Sequence, residues 1–434
     1  MLLKSLSPIE LYRQLKLNIR SNPKILIVGI DVSKDSSVAC VADGTKHVYL
    51  KKFKFPNSVE GLNSIMHSVE NIKQKHSKDI AVWALEPTGN FHKPIAHFLI
   101  KNNYHVVGVS TIAVKENRKT LDGRWRKSDP KDAYNIVDLV SQGKMYFYRH
   151  DPFSDGLKDL LRLRDKQVQR LSSIKIRLRN NHFARYFPEI DKLYADITNP
   201  EVLCVLKHFP TAQDISNVSI DHFVSVMERK PFTKKRQQRI FEIWSCASQS
   251  IACSKNIAVD VEMSIILEEI KTLKKNIIFF DQQIASLCKT SSDYKLLQTI
   301  PGFGPLLSAI FMAYVGPIKN YTKYGQVCKL IGLDLEYTQS GRFHSQASIS
   351  KKGMSFLRYA LCSAATRALN NGSLKEHYKN IVSVVEESSQ SMGRFRIKLA
   401  DKLLRAAYAV LKYQRPFDLK YFLNPVNQSQ HLST

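Results

Sequence analysis

The sequence lacks apolar runs long enough to cross a bilayer, and its cysteines lack the spacing of a metal or disulfide framework. The seven cysteines are scattered, odd in number and without a Cys-X-X-Cys pair, which is typical of a reducing compartment. The N-terminus lacks the apolar core of a signal peptide, because charges interrupt it at Lys4, Glu10, Arg13, Lys16 and Arg20. We therefore expect a cytoplasmic protein without zinc, disulfides or a membrane span.

Acidic residues are also scarce relative to basic ones. The chain has 434 residues, with 65 Lys and Arg against 38 Asp and Glu, so its formal charge is +27. Such an excess repels itself unless a polyanion is bound, so nucleic acid is the expected partner. An anionic membrane is the weaker alternative, because the basic residues are spread along the chain and no amphipathic anchor stands out. The length allows two or three domains.

Residues 24–150 predict an α/β domain. Lys24–Ile30 and Asp79–Leu85 are apolar runs typical of buried strands, and Asp31 and Glu86 follow them directly. Further strands are expected at residues 37–42, 47–55 and 104–110, and helices at residues 59–75 and 92–101 and from Asp129 onward. Three consecutive strands, then alternating helices and strands, is the order expected of a ribonuclease-H-like mixed sheet.

Residues 151–290 predict long helices. One helix has apolar residues at alternating spacings of four and three, the pattern of a coiled-coil seam: Ile266, Ile270, Leu273, Ile277, Phe280, Ile284 and Leu287. An earlier run has similar spacing, interrupted by Arg164 and Lys175: Leu157, Leu161, Val168, Leu171 and Leu178. These two helices could pack on one another or on a second protomer. The remaining expected parts are an N-terminal extension (1–23), a helical insert (about 190–254), a helical C-terminal domain (291–420) and a tail (421–434).

Four carboxylates stand where a metal site would need them. Asp31 and Glu86 each close a hydrophobic strand, at the edge where open α/β sheets place functional groups. Asp129 and Asp132 lie three residues apart at a helix start and therefore share one face. Carboxylate oxygens bind hard divalent cations, and two such ions can hold a phosphodiester in line with its nucleophile.

Each of these four acids also has a purely structural explanation. Asp129 would cap a helix before Pro130, with Asp132 as its acidic third residue. Asp31 could simply end a strand, and Glu86 could begin a turn. Taken singly, the structural explanations are the better ones. Together, in ribonuclease-H order, the four acids favour a metal site.

Residues 297–309 have the form of a helix-hairpin-helix. Gly302 and Gly304 would let the backbone amides of the turn approach a phosphate, and the following helix offers its positive end. This arrangement binds the phosphate backbone of nucleic acid independently of its sequence. An ordinary corner between two helices is the alternative.

A serine among cations follows this motif. Ser340 precedes a glycine, so a phosphate could approach its hydroxyl closely. Positive charge nearby comes from Arg342, Lys351, Lys352 and Arg358. Such a serine is more often a phosphate contact than a nucleophile, because no neighbour is an obvious general base. Both roles stay open.

In this order, the motifs resemble those of the DEDD transposases of bacterial insertion sequences, the IS110 group, which are relatives of the pilin-gene invertases and are also called bridge recombinases. The matching segments are Gly29-Ile-Asp-Val-Ser-Lys34, Leu85-Glu-Pro-Thr-Gly89, Lys127-Ser-Asp-Pro-Lys-Asp-Ala133 and the block from Ile300-Pro-Gly-Phe-Gly304 to Leu357-Arg358. The resemblance spans about residues 24–420. The segment between Pro188 and Ser254 is longer than in compact members.

The resemblance implies a RuvC-like N-terminal domain in which Asp31, Glu86, Asp129 and Asp132 bind Mg²⁺. A coiled coil would follow, and then a transposase domain in which Ser340 matches the family's nucleophilic serine. The implied partners are target and donor DNA and a structured non-coding guide RNA encoded by the element. A dimer or tetramer is implied, with each active site combining the acids of one subunit and the serine of another.

Two other functions fit part of the pattern. A metal-dependent nuclease or junction resolvase would use the acids with water as nucleophile and would need no Ser340. A non-catalytic nucleic-acid-binding scaffold would keep the hairpin and a degenerate acidic site. The presence of all four carboxylates counts against the scaffold.

Overall fold

The computed structural model describes residues 8–20, 22–87, 89–121, 129–148, 151–227, 233–336, 339–340, 343–344, 348–370, 374–376, 378 and 389–423. The chain divides into two compact units, Met1–Pro152 and Phe153–Thr434. Within the described ranges, no helix is long and apolar enough to cross a membrane. The first unit is a mixed α/β sheet and the second is mostly helical, so this coarse part of the predicted fold class is confirmed.

The first unit has six strands and five helices among the described residues. They are α1 (Pro8–Asn18), β1 (Ile25–Val32), β2 (Ser36–Asp43), β3 (Val48–Pro56), α2 (Val59–Lys75), β4 (Ile80–Leu85), α3 (His92–Lys101), β5 (His105–Gly108), α4 (Thr111–Leu121), α5 (Asp129–Ser141) and β6 (Tyr146–Phe147). Sequence reasoning gave no element for 111–121, where the structure has α4. It set residues 1–23 apart as an extension, whereas Leu15 in α1 and Ile19 just after it are buried in this unit's core.

The strands form one sheet in the order β3-β2-β1-β4-β5-β6. β1 pairs antiparallel with β2 and parallel with β4, and β4 pairs parallel with β5. Because β1, β4 and β5 are parallel, their carboxyl ends meet at one edge of the sheet. Ile30 lies opposite Leu85 in this register. The residues that come next, Asp31 within β1 and Glu86 directly after β4, therefore reach the same edge.

The sheet is buried on both faces, which explains the unbroken apolar sequence of β1. Alternate residues of β1 belong to different cores. Ile25 and Ile27 pack with α1, α4 and α5, whereas Leu26, Val28 and Ile30 pack with α2 and α3. Asp31 lies an even number of residues after Ile27, so it is on the same face of the sheet, the face that α5 covers.

The second unit begins with two long helices around a helical insert. The elements are α6 (Pro152–Arg177), a π-helical turn (Leu178–Phe183), α7 (Ala184–Tyr186), α8 (Ile190–Leu193), α9 (Pro200–His208), α10 (Ala212–Ser216), α11 (Ile220–Met227), α12 (Lys234–Ser248) and α13 (Ala258–Cys288). One core joins the insert to the start of α13, and another joins the end of α13 to the elements that follow.

The predicted apolar seam of α13 is buried at four of its seven positions and only partly buried at Ile277 and Phe280. Ile266, Ile270, Leu273 and Ile284 are buried. Leu287 is 37% exposed, and Cys288 is buried instead. Arg164, which interrupts the earlier apolar run, lies 2.6 Å from Asp281 on α13 as an ion pair. The two long helices therefore meet within one chain at this point, and the coiled coil itself stays a prediction.

In its described residues, the rest of the second unit is helical apart from four short strands and the connecting loops. Its elements are α14 (Ser292–Leu297), α15 (Pro305–Val315), a 3-10 turn (Ile318–Asn320), α16 (Tyr324–Ile331), β7 (Leu335–Glu336), β8 (Gln339–Ser340), β9 (Phe343–His344), β10 (Ser348–Ile349), α17 (Ser355–Asn370), α18 (Ser389–Tyr413) and α19 (Leu419–Leu423). β7 pairs with β10 and β8 with β9. The predicted helical domain at 291–420 therefore also includes the short strands β7 to β10, in a polar segment that has no apolar stripe for a helix to bury.

Candidate active site

Three of the four predicted acids come together at one edge of the first unit's sheet. Asp31 is the next-to-last residue of β1, and Glu86 directly follows β4. Asp132 lies in the first turn of α5 and is 4% exposed. Asp129 is the first residue of α5, as predicted, and its side chain lies outside the described part of the structure.

A glycine in β1 lets α5 approach closely enough to bring Asp132 to the cluster. A Cβ atom at Gly29 would lie 2.5 Å from the backbone oxygen of Ala133 and 2.8 Å from the Val137 side chain. Any larger residue would push α5 away from the strand that carries Asp31. The Gly29-Ile30-Asp31 segment thus provides the cluster with both a carboxylate and the space for the neighbouring helix.

The carboxylates are near enough to influence one another. The pKa of Glu86 is raised, first by burial and then by the negative charges of Asp31 and Asp132. The Arg118 charge and a hydrogen bond from Thr111 oppose this rise. Acids that repel one another in a partly buried cluster favour a cation, so the donor chemistry fits a hard divalent ion.

Helix α4 also contributes to the cluster, which sequence reasoning missed. Thr111 hydrogen-bonds Glu86, and Arg118 Nη2 lies 2.8 Å from Asp132 Oδ1. The two residues are seven apart and therefore lie on one face of the helix. Their spacing is a helical signal, but α4 is short and largely polar, and only the tertiary contacts distinguish it from a surface helix.

The described carboxylates do not yet form a closed metal-binding group. Within the described ranges, no set of three or more His, Cys, Asp or Glu side chains lies close enough to hold one ion. The buried Asp132 Oδ1 nevertheless has no hydrogen-bond partner among the described residues. A buried carboxylate oxygen of this kind fits the ligand of a cation. The residues therefore fit Mg²⁺ in chemistry, with Asp132 turned toward Arg118.

Ser340 lies in the second unit, in the short hairpin of β8 and β9. Its Cα is paired with that of Phe343, and its side chain is not described. Arg342, one of the predicted nucleic-acid contacts, lies outside the described residues. The predicted catalytic residues are therefore divided between the two units. The acids belong to the first unit and the serine belongs to the second.

The other predicted cations lie near the end of α16 and the pair of strands β7 and β10. Lys351 is exposed, and Lys352 is exposed but ion-paired with Glu336. Arg358 on α17 donates from Nη1 to the Ile331 carbonyl oxygen at 2.8 Å. Arg358 therefore stabilises the end of α16 in addition to any contact with nucleic acid.

The glycine turn joins α14 and α15, and its two glycines differ in what they allow. Gly302 has φ +83°, and a Cβ there would lie 2.5 Å from the Ala364 backbone oxygen on α17. Gly304 has φ −78° and open space around its Cβ position. The fold therefore requires glycine at Gly302 but not at Gly304.

Two family models match this chain. A model of the IS110-type DEDD transposases matches residues 28–188, and a model described as the transposase IS116/IS110/IS902 family matches residues 294–379. Together they cover more than half of the chain. The first match contains all four acids, and the second contains Ser340 and the glycine turn. The insert at about 190–254 and the whole of α13 lie between the two matches.

Three relatives extend the similarity. The pilin gene-inverting protein of Moraxella bovis is 22% identical over 395 residues, which are 90% of this chain and 97% of the relative. An uncharacterized protein of insertion element IS116 from Streptomyces clavuligerus is 20% identical, over 81% of this chain and 86% of its own length. The transposase for insertion sequence element IS1111A of Coxiella burnetii is 27% identical over 32% of this chain and 38% of its own length.

Proposed function

The chain is a DNA transposase of the IS116/IS110/IS902 family, of the DEDD type, and we propose that it cuts and rejoins DNA with Ser340 as nucleophile and the carboxylate cluster as its Mg²⁺ site. The observation that carries the metal part is the convergence of Asp31, Glu86 and Asp132 at one sheet edge. The strand order and the parallel β1, β4 and β5 support a ribonuclease-H-like, RuvC-like domain.

Asp31, Glu86 and Asp132 would hold Mg²⁺, with Asp129 as the fourth ligand. Asp129 lies three residues before Asp132, so the start of α5 presents both on one face. Bound Mg²⁺ would polarise the phosphodiester and ease the ionisation of a hydroxyl. The protein's own part is to hold four negative groups in place, which the close packing of α5 on β1 at Gly29 supports.

Ser340 would form and break the covalent bonds. Its oxygen attacks the phosphorus, the bond from phosphorus to one sugar oxygen breaks, and that sugar leaves as a hydroxyl with the proton that serine loses. The resulting phosphoserine ester keeps the bond energy, so attack by a new sugar hydroxyl rejoins DNA without an external energy source. The pilin gene-inverting relative, whose name describes inversion, supports rejoining over simple cutting.

Nucleic acid would bind along both units. The turn with Gly302 and Gly304, together with Arg342, Lys351, Lys352 and Arg358, would contact backbone phosphates of target and donor DNA. The guide RNA is proposed from the family resemblance, and the net charge of +27 supports a second polyanionic partner. A dimer or tetramer would combine the acids of one subunit with the serine of another.

The second candidate is a metal-dependent nuclease or junction resolvase. It is favoured by one observation: the acidic cluster lies wholly in the first unit, where water could replace Ser340 as nucleophile. Such an enzyme would cut DNA and leave no protein-DNA bond.

Substitution of the acids tests the proposed metal role. Asp129→Asn and Asp132→Asn should each abolish strand cleavage of a plasmid carrying the element, because amides bind Mg²⁺ poorly. DNA binding and folding should stay near wild type. Asn still caps a helix well, so full activity in Asp129→Asn would assign that residue to capping alone. Lys119→Met, on the neighbouring helix, is the control that should cleave normally.

A further inference from the structure

Arg118 places a positive charge inside the carboxylate cluster. Its Nη2 lies 2.8 Å from Asp132 Oδ1, and its charge also acts on Glu86. Asp132 is almost fully buried, with 6% of its side chain exposed, whereas the side chain of Arg118 is 36% exposed. The arginine thus reaches from the surface to a buried acid that lies among other acids.

The contact between Arg118 and Asp132 lacks the geometry of a well-aligned salt bridge. Neither Arg118 Nε nor Asp132 Oδ1 has a hydrogen-bond partner among the described residues. The 2.8 Å contact therefore brings opposite charges together without the angle of a hydrogen bond. A structural Arg–carboxylate pair is usually bidentate and well aligned. Arg118 thus compensates the charge of Asp132 through a contact that a different cation could replace.

The backbone that carries Arg118 is held firmly against α5. The neighbouring Asn117 is buried and donates from Nδ2 to Asn135 Oδ1 at 2.8 Å and to Asp138 Oδ2 at 2.7 Å. Asn135 in turn donates to the Val114 carbonyl oxygen at 2.8 Å. These bonds lock α4 onto α5 one turn from the cluster. Any release of Asp132 therefore requires movement of the Arg118 side chain alone.

We propose that Arg118 is an internal counter-cation that holds Asp132 until a divalent ion displaces it. The inference rests on the proposed metal site and adds a positioning residue to it. Mg²⁺ binds carboxylate oxygens at about 2.1 Å. A guanidinium nitrogen at 2.8 Å from the same oxygen occupies the space that such an ion needs. The ion and Arg118 are therefore competitors for this oxygen.

Metal affinity of the nucleic-acid-free full-length protein tests this role without reference to activity. Mn²⁺ serves as the probe, and its free concentration is followed by electron paramagnetic resonance during titration. Arg118→Met removes the charge at similar size, so it should bind Mn²⁺ at least about tenfold more tightly than wild type. Arg118→Gln should shift affinity in the same direction. Arg118→Lys keeps a positive charge and should stay closer to wild type.

The matched control is Lys119→Met on the same helix. Lys119 is exposed and pairs with Glu116 at 3.0 Å, so this variant loses an equal charge away from the cluster and should bind Mn²⁺ like wild type. Folded Arg118→Met and Arg118→Gln proteins that bind Mn²⁺ no more tightly than wild type would overturn the competition while leaving the metal site intact. Loss of binding in Asp31→Asn supports the site itself. Absence of binding in both wild type and Arg118→Met would overturn the site and the counter-cation together.

Discussion

Asp43 and Glu86 are carboxyl groups at the ends of two strands of the same sheet. Their surroundings shift their pKa values in opposite directions. Asp43, at the end of β2, is buried and accepts hydrogen bonds from Thr45, Tyr49 and Lys78, the last at 3.0 Å. Burial alone would raise the pKa of Asp43, but these hydrogen bonds outweigh it and lower the pKa to about 2. Asp43 is therefore a carboxylate whose charge stabilises the fold.

The first prediction concerns the pH dependence that Asp43 confers. Its pKa is about 2 in the folded protein against an ordinary value of 3.8, so its charge contributes about 2 kcal/mol of stability above pH 4. This contribution is lost as pH falls from about 4 to 2. Asp43→Asn should therefore lower the free energy of unfolding at pH 7 and flatten its slope below pH 4, measured by urea unfolding at several pH values. Equal slopes in variant and wild type would contradict the assignment.

The second prediction has the opposite sign. The raised pKa of Glu86 means that its charged form opposes folding at neutral pH when no metal is bound. Glu86→Gln should therefore raise the unfolding temperature of the metal-free protein, because the amide carries no charge to bury. Added Mg²⁺ should stabilise wild type more than this variant. A destabilised Glu86→Gln protein would show that Glu86 serves the fold and not a metal.

The third prediction separates the two glycines of the turn. Gly302→Ala should destabilise the second unit by about 1–3 kcal/mol, because of its φ of +83° and its contact with Ala364. Gly304→Ala should leave thermal stability unchanged and weaken DNA binding, since the added methyl group blocks the approach of a phosphate. Wild-type DNA affinity in Gly304→Ala would make the turn a simple helix-helix corner.

Among the elements, the long helices α6 and α13 carry apolar residues that no described neighbour covers fully. On α13, Ile278 is 59% exposed and Phe279 54% exposed. On α6, Leu163 is 44% exposed. These residues lie between the two cores of the second unit. A second copy of the chain is the expected cover for them, in agreement with the proposed oligomer.

The fourth prediction follows from this exposed face. The double substitution Ile278→Ser with Phe279→Ser should lower the oligomer mass measured by light scattering and leave the helical content unchanged, because both residues are exposed in the single chain. Ile251→Ser is the control, since Ile251 is 90% exposed but precedes α13. If the double variant keeps the wild-type mass, these helices do not form the subunit interface.

The elements that carry the acids were predictable because their local signals are strong. β1 and β4 are unbroken apolar runs, and α5 begins at Asp129, next to a proline suited to a first helical turn. Helix α4 was not predicted, because its contribution depends on tertiary contacts of Thr111 and Arg118. Sequence periodicity predicts which residues are buried, but it does not predict which polar side chains contact one another.

The end of the α13 seam shows a similar limit. A spacing of apolar residues that alternates strictly between four and three predicts that Leu287 is buried, yet the structure buries Cys288. A straight helix has 3.6 residues per turn and drifts away from a 3.5-residue repeat over several turns. Where the end of α13 joins the C-terminal core, the straight-helix period decides which residue faces inward.

At the scale of the whole molecule, the proposed reaction needs groups from both units. The acids belong to Met1–Pro152, and Ser340 belongs to Phe153–Thr434. Neither unit alone would perform cleavage and rejoining. A nuclease would need only the acids, so the chemical fate of Ser340 distinguishes the two functions.

The fifth prediction concerns Ser340→Ala. If the hydroxyl only holds a phosphate, the variant loses one hydrogen bond, about 1 kcal/mol, and cleavage should persist within roughly tenfold. If the hydroxyl is the nucleophile, cleavage should vanish while DNA affinity stays near wild type. Gel assays of cleavage and binding on the same DNA separate these outcomes.

The most direct test of the central claim is to trap the covalent intermediate. Wild-type protein would be incubated with Mg²⁺ and labelled nicked DNA from which the cut strand is lost, then denatured, digested and mapped by mass spectrometry. The proposed mechanism predicts label on the peptide that contains Gln339-Ser340-Gly341, and no adduct in Ser340→Ala or Asp132→Asn. Robust Mg²⁺-dependent cleavage without any protein-DNA adduct would contradict it and assign the attack to water.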